Sequence, residues 1–146
     1  MYKRIILAYD GTETGQKALL EIKDLANWDL SKISLLAVIP SMEIDIGTVE
    51  MGYVSSASNE VIEEELQAQL DKGVKSLRSM GFEADGELLK GEVIREITSY
   101  ADEHQADLIV VGHKHEKNLL RRWWSGSTAK SIVEESPCNV LVVVHK

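Results

Sequence analysis

A single cysteine, a shortage of basic side chains and the lack of any long apolar run set the first limits on this 146-residue chain. Cys138 is the only cysteine, so no intramolecular disulfide can form. Its thiol, beside Pro137 with no evident activating base, is expected to be buried and inert. The chain carries 16 Lys and Arg against 24 Asp and Glu, a net charge of −8. That balance argues against a protein-wide electrostatic grip on DNA, RNA or anionic lipid. No stretch approaches the ~20 consecutive apolar residues of a membrane span. The opening run Ile5-Ile-Leu-Ala8 is shorter than the apolar region of a secretory signal, and Asp10 follows closely; a reducing cytoplasm is the expected compartment.

Several catalytic motifs are missing as well. There is no Gly-x-x-x-x-Gly-Lys-Ser/Thr, no Gly-x-Gly-x-x-Gly, no Gly-x-Ser-x-Gly and no His-Glu-x-x-His. Ala8-Tyr-Asp10-Gly-Thr12 resembles the Asp-x-Asp-Gly-Thr of haloacid-dehalogenase-type phosphatases, but Ala8 stands where the attacking carboxylate belongs, which removes that mechanism. His113 and His115 form a His-x-His pair without a third ligand at a natural spacing. Two ligands are too few for zinc.

What is present fits a folded chain: 44% hydrophobic and 27% charged residues. This length can bury roughly 68–70% of the surface its unfolded form exposes, enough for one domain. The apolar runs Ile5–Ala8, Ile33–Ile39, Leu108–Gly112 and Val140–Val144 are near-continuous, the pattern of parallel strands covered on both faces. A weaker run, Phe82–Leu89, carries Asp85, Gly86 and Glu87 and is expected at a sheet edge. Helical stripes fall between the strands: Ala18, Leu19, Ile22, Leu25 and Ala26; Ile62, Leu66, Leu70, Val74 and Leu77; Val93, Ile94, Ile97 and Ala101; and Ile132 with Val133. Gly81 should stop the second, and Pro137 limits the last. Glu60, Glu63, Glu64 and Glu65 suit the positive end of the second helix. The stretch from Pro40 to Ser58 reads as a long loop, a lid or a mobile connector. Strands alternating with helices define an α/β layer fold with a parallel sheet.

Two turns carry the candidate chemistry. Asp10-Gly-Thr12-Glu-Thr14 lies between the first strand and first helix. A carboxylate and two hydroxyls there can cap the helix, bond a ribose hydroxyl or help hold a phosphate-bound cation. The second turn joins Val111-Gly112 to Gly126-Ser127-Thr128. A glycine at the strand exit lets a ligand approach the backbone, and the small helix opening offers free amides and hydroxyls. Lys114, Lys117, Arg121 and Arg122 make the segment basic, open to phosphate attraction or to pairing with acidic groups on a partner.

Together with the closing Ser136-Pro137-Cys138-Asn-Val-Leu-Val-Val, these turns resemble the universal stress protein family over essentially all of residues 1–146. The resemblance implies a single domain, an adenine nucleotide alpha hydrolase-like fold, with a five-stranded parallel sheet in the order 3-2-1-4-5 and helices on both faces. The family's nucleotide-binding branch has Gly-x2-Gly-x9-Gly-Ser/Thr, which holds the phosphates of ATP. Here Gly112, Gly126 and Ser127 match; His115 replaces the second glycine, the gap that follows is one residue longer, and Ala129 replaces a later hydroxyl while Thr128 supplies one.

The implied site is Ala8, Asp10, Gly11 and Thr12 at the base and ribose, Val38 bonding adenine through its backbone, Val111 and Gly112 beside ribose and phosphate, and His115, Gly126, Ser127 and Thr128 at the phosphates. Mg2+ or Mn2+ would be bound through the phosphates. The implied function is an ATP-binding, or other adenine nucleotide-binding, sensor or regulator in stress response; a nucleotide-free interaction module and a slow ATP hydrolase are the alternatives. No residue has an evident general-base role. A homodimer through the Val140–Val144 strand, with an unidentified protein partner and neither nucleic acid nor membrane, completes the expectation. Trp123 and Trp124, adjacent on the chain, cannot both enter one narrow core stripe; buried packing is the commoner fate of tryptophan, and an exposed one would cover the pocket or anchor an interface.

Overall fold

The computed structural model describes residues 2–9, 16, 17, 20, 31–40, 56–114 and 126–145. Within them lie β1 (Arg4–Tyr9), β2 (Lys32–Pro40), α1 (Ser56–Ser79), β3 (Glu83–Gly91), α2 (Val93–Glu103), β4 (Leu108–Lys114), α3 (Gly126–Glu135) and β5 (Asn139–His145). Gln16, Lys17 and Leu20 are also helical. The sheet has five strands in the order β3-β2-β1-β4-β5, every neighbouring pair parallel. This is the order the family resemblance implies, and β3 occupies one edge, as its polar residues predict.

Side-chain alternation along the central strands builds two cores. Ile5, Leu7 and Tyr9 of β1 join Ile33, Leu35 and Ala37 of β2 beneath Leu70, Val74 and Leu77 of α1. Ile6 and Ala8 join Leu36, Val38, Ile109 and Val111 beneath Ile94, Ile97, Tyr100 and Ala101 of α2 and Ile132 of α3. Helices therefore cover both faces, and the near-continuous apolar strand sequences follow from that double burial.

The helix ends show how local chemistry fixes the layout. Gly81 has φ +94; its amide donates to Arg78 O at 3.0 Å and that of Phe82 to Leu77 O at 3.1 Å, a Schellman stop for α1. Gln105, with φ 52, ends α2 the same way: its amide donates to Asp102 O at 3.1 Å, and that of Ala106 to Ala101 O at 2.8 Å. At the start of α2, Glu92 accepts from the amides of Ile94 at 3.1 Å and Arg95 at 2.9 Å, satisfying two otherwise orphaned donors.

Four expectations need correction. Helix α1 begins at Ser56, so Glu60, Glu63, Glu64 and Glu65 lie beyond its first turn, and Ser56–Ser58 are helix rather than loop. Pro40 belongs to β2; the rest of the supposed loop or lid, 41–55, lies outside the described residues. Ile62 is 48% exposed and Val133 62% exposed, so neither joins the stripe assigned to it: the first two turns of α1 bury none of their described side chains, and Val133 follows the buried Ile132 on a helix with one inward face. Strand β5 is not covered on both sides, because it is an edge strand with Leu141 and Val142 exposed. The stripe from Ala18 to Ala26 and all of Trp28, Trp123 and Trp124 lie outside the described residues.

The first core contains one polar cluster. Gln16 Nε2 donates to Tyr9 Oη at 3.1 Å and to Gln69 O at 2.8 Å, and Gln69 Nε2 donates to Gln16 Oε1 at 3.0 Å. Space for it comes from Gly73, where a Cβ would lie 2.3 Å from Gln16 Nε2 and 2.6 Å from Leu35 Cδ2. Alanine normally stabilises a helix interior over glycine by about 1 kcal/mol. At Gly73 the overlap reverses the sign. Gly73→Ala is expected to destabilise the fold by about 1–3 kcal/mol, read as a lower urea midpoint; a raised midpoint would contradict the packing described.

Candidate functional site

The described ladders of the sheet run up to its carboxyl edge. β1 pairs with β4 from Ile5↔Leu108 to Ala8↔Val111, and Tyr9 and Gly112 are the next residues of these two strands. β4 stays with β5 to Lys114↔His145, and β2 stays with β3 to Pro40↔Gly91. The chain order reverses at β1, with β2 on one side and β4 on the other. In open α/β sheets such a switch point forms a crevice outside the carboxyl ends of the strands.

Chain connectivity adds a helix terminus to this edge. Parallel β4 and β5 require the chain to leave at the carboxyl edge and return to the amino edge. Thus α3 runs back between them and begins, at Gly126, on the side where β4 ends. Its first turn contains no acidic residue, so its positive end has no carboxylate of its own there, and its leading amides lack intrahelical acceptors.

Ala8, Val38 and Val111 lie on the same sheet face, buried in the second core. Their side chains pack with Leu36, Ile94 and Ile132, which leaves backbone groups as their means of reaching a ligand. Gly112 follows Val111 past the last β1 partner and is buried. Gly126, Ser127 and Thr128 form the first residues of α3. Asp10, Gly11, Thr12 and His115 lie outside the described residues. His113 and Lys114 belong to β4, while Lys117, Arg121 and Arg122 are also outside. Gln16 was missed in the sequence; an isolated glutamine carries no signal that its amide will be buried.

The other polar features lie elsewhere. A cleft of about 140 Å3 at the amino edge is lined by Arg4, Lys32, Ser34, Asp85 and His104 among others. Its charges are already partnered: Lys32 Nζ lies 3.3 Å from Asp85, Ser34 Oγ donates to Asp85 at 2.6 Å, and Arg4 Nη1 donates to His104 O at 2.7 Å. Nearby, burial pushes the Tyr100 phenol above its ordinary pKa, opposed by a hydrogen bond with Ser34 and reinforced by Asp85 and Glu87. The half-buried Cys138 thiol is also raised, first by burial, with the Ser136 hydroxyl acting against it. This favours the neutral thiol over the nucleophilic thiolate. Among the described residues no group of three or more His, Cys, Asp or Glu is placed to hold a metal ion, and no helix is long and apolar enough to cross a membrane.

An open parallel sheet whose chain order reverses at β1, with helices on both faces, is of the doubly wound α/β class, in which ligands generally bind outside the carboxyl ends of the strands. The chain belongs to the universal stress protein family, whose model matches residues 1–144. Among its relatives is the universal stress protein MJ0577 of Methanocaldococcus jannaschii, 29% identical over an alignment covering 100% of this chain and 97% of the relative. The solved structure of MJ0577 superposes with a TM-score of 0.77 at 27% identity, covering 100% of this chain and 98% of that one. The same fold occurs in a universal stress protein from Archaeoglobus fulgidus in complex with dAMP, 20% identical with a TM-score of 0.65, covering 97% of this chain and 98% of that one. It occurs also in an Arabidopsis thaliana family member with AMP bound, 15% identical with a TM-score of 0.64, covering 99% and 92% respectively.

Proposed function

We propose that residues 1–146 form a single regulatory domain that binds an adenine nucleotide, ATP by preference, at the carboxyl edge of the sheet. The observation that carries this reading is the reversal of chain order at β1, between β2 and β4, with α3 starting on the carboxyl side. The carboxyl ends of the strands offer backbone groups for a base and ribose, and the helix start offers amides for phosphate. The dAMP and AMP complexes of proteins with this fold support the ligand class, and the Gly112, Gly126 and Ser127 matches support phosphate binding. In this reading Asp10, Gly11 and Thr12 meet the ribose, Val38 the base, and His115, Ser127 and Thr128 the phosphates. Mg2+ or Mn2+ enters through the phosphates. The role is that of a sensor or regulator in stress response rather than a catalyst.

Isothermal titration of nucleotide-stripped protein with AMP, ADP and ATP plus Mg2+ tests the reading. Saturable heat with ATP bound most tightly is expected; no heat and no competition up to millimolar concentrations would overturn it.

The same family reading includes pairing of two copies through β5. Its edge position and the exposed Leu141 and Val142 support this. Light scattering at micromolar concentration is expected to give twice the 16.3 kDa chain mass. A monomer mass would contradict it.

A further inference from the structure

The cleft at the amino edge holds a charge that no carboxylate beside it neutralises. Strand alternation puts Arg4 and Ile6 of β1 and Lys32 and Ser34 of β2 on the sheet face that α2 covers, and His104, the cap of α2, completes the lining with Asp85 and Ala106. The nearby carboxylates are committed elsewhere. Asp85 accepts from Ser34 Oγ at 2.6 Å and lies 3.3 Å from Lys32 Nζ. Asp107 accepts from the backbone amides of Lys3 at 2.8 Å and Arg4 at 3.0 Å. Among the described residues this leaves the Arg4 guanidinium one side-chain partner, the neutral carbonyl of His104 at 2.7 Å. Arg4 and Lys32 set against Asp85 therefore give the lining a positive excess, in a chain whose net charge is −8.

The arrangement is held in place before any ligand arrives. The His104 ring stacks on Tyr100 with centroids 3.8 Å apart and 15° between the planes, and its Nδ1 lies 2.9 Å from Tyr100 O. The His104 carbonyl in turn fixes Nη1 of Arg4. Capping that carbonyl uses one guanidinium N–H, and the rest stay available in a planar fork that matches a carboxylate through two parallel hydrogen bonds. Size and charge narrow the ligand. The cleft measures about 140 Å3; a cavity of about 150 Å3 takes a molecule as large as benzene, whereas cofactor pockets run to about 300–1,000 Å3. A positive excess with Asp85 close by favours a single negative charge over a double one.

We propose that the amino-edge cleft is a binding site for a small monocarboxylate of up to about four carbons, its carboxylate held by Arg4 and Lys32. The site lies at the opposite end of the strands from the proposed nucleotide edge and does not rest on nucleotide binding.

The test titrates the isotope-labelled full chain with sodium propionate, sodium chloride keeping the ionic strength constant, and follows backbone amide shifts. Saturable shifts are expected at Lys32, Ser34, His104 and Ala106, with a dissociation constant of about 1–10 mM, while Gly112 and Gly126 stay unmoved. Arg4→Gln keeps an amide donor for the His104 carbonyl and loses the charge and the fork; binding should weaken at least about tenfold. Lys32 and Asp85 are about half exposed, so Lys32→Gln and Asp85→Asn change charge with little cost to folding. The first should weaken propionate about threefold, and the second, which keeps an acceptor for Ser34, should tighten it about threefold. These opposite signs would not arise if Arg4 served only to cap α2, and they decide the matter if Arg4→Gln fails to fold. Inorganic phosphate, largely a dianion above neutral pH, should bind more weakly than propionate. No saturable shift up to about 100 mM propionate, retained affinity in a folded Arg4→Gln, weaker binding in Asp85→Asn, or phosphate bound as tightly as propionate would overturn the proposal.

Discussion

Gly126→Glu is expected to abolish adenine nucleotide binding while leaving the protein at least as stable as wild type. The two effects have opposite signs for a physical reason. Gly126 is the first residue of α3, whose first turn contains no acidic side chain. A carboxylate there interacts favourably with the helix dipole by about 0.3–1 kcal/mol, and leaving glycine adds helix propensity. The same charge placed about 4 Å from a phosphate costs about 4 kcal/mol at an effective dielectric of 20, close to a thousandfold in affinity. Titration paired with thermal unfolding separates the terms. Loss of binding by at least about 100-fold with an unchanged or raised Tm is the expected result; retained affinity would place the phosphates away from α3.

Leu7→Ala is expected to have the largest effect on stability. Leu7 sits on the central strand, fully buried, with Leu35 and Val110 as its in-register neighbours, both also fully buried. A site walled by paired strands on both sides cannot collapse to fill the cavity, so the cost should fall in the upper part of the range for such truncations, about 3–5 kcal/mol. That is a large share of the roughly 5–15 kcal/mol that holds a typical domain together. Urea unfolding should show a lower midpoint with little change in slope. A loss under about 1 kcal/mol would mean that the strand has room to relax.

The sheet was legible because double burial writes itself into sequence as uninterrupted apolar runs, and β1, β2 and β4 have such runs. β3 was legible for the opposite reason. Its Asp85, Gly86 and Glu87 mark an edge, and the structure gives two of them work: Asp85 accepts from Ser34, and Gly86 clears Val74, whose Cγ2 a Cβ would approach at 2.6 Å. The amphipathic stripe located α1, but its first residue was hidden, since Ser56–Ser58 look like loop when helical propensity is read without packing. The stop after α2 was hidden too, because Gln105 takes a conformation usually given to glycine. At the candidate site, Gly112 and Gly126 were legible through the motif shared with the family, whereas the Gln16 cluster depends on contacts between segments far apart in the chain and leaves no periodic trace.

The central claim is a location: nucleotide at the carboxyl edge, where the strand order reverses. The most direct measurement is a titration of isotope-labelled, nucleotide-stripped protein with AMP and with ATP plus Mg2+, following backbone amide shifts. The account predicts saturable shifts at Ala8, Val38, Val111, Gly112 and Gly126, with Arg4, Lys32, Ser34 and Asp85 at the opposite edge unmoved. Shifts centred on the amino-edge residues, or no saturable shift anywhere, would contradict it.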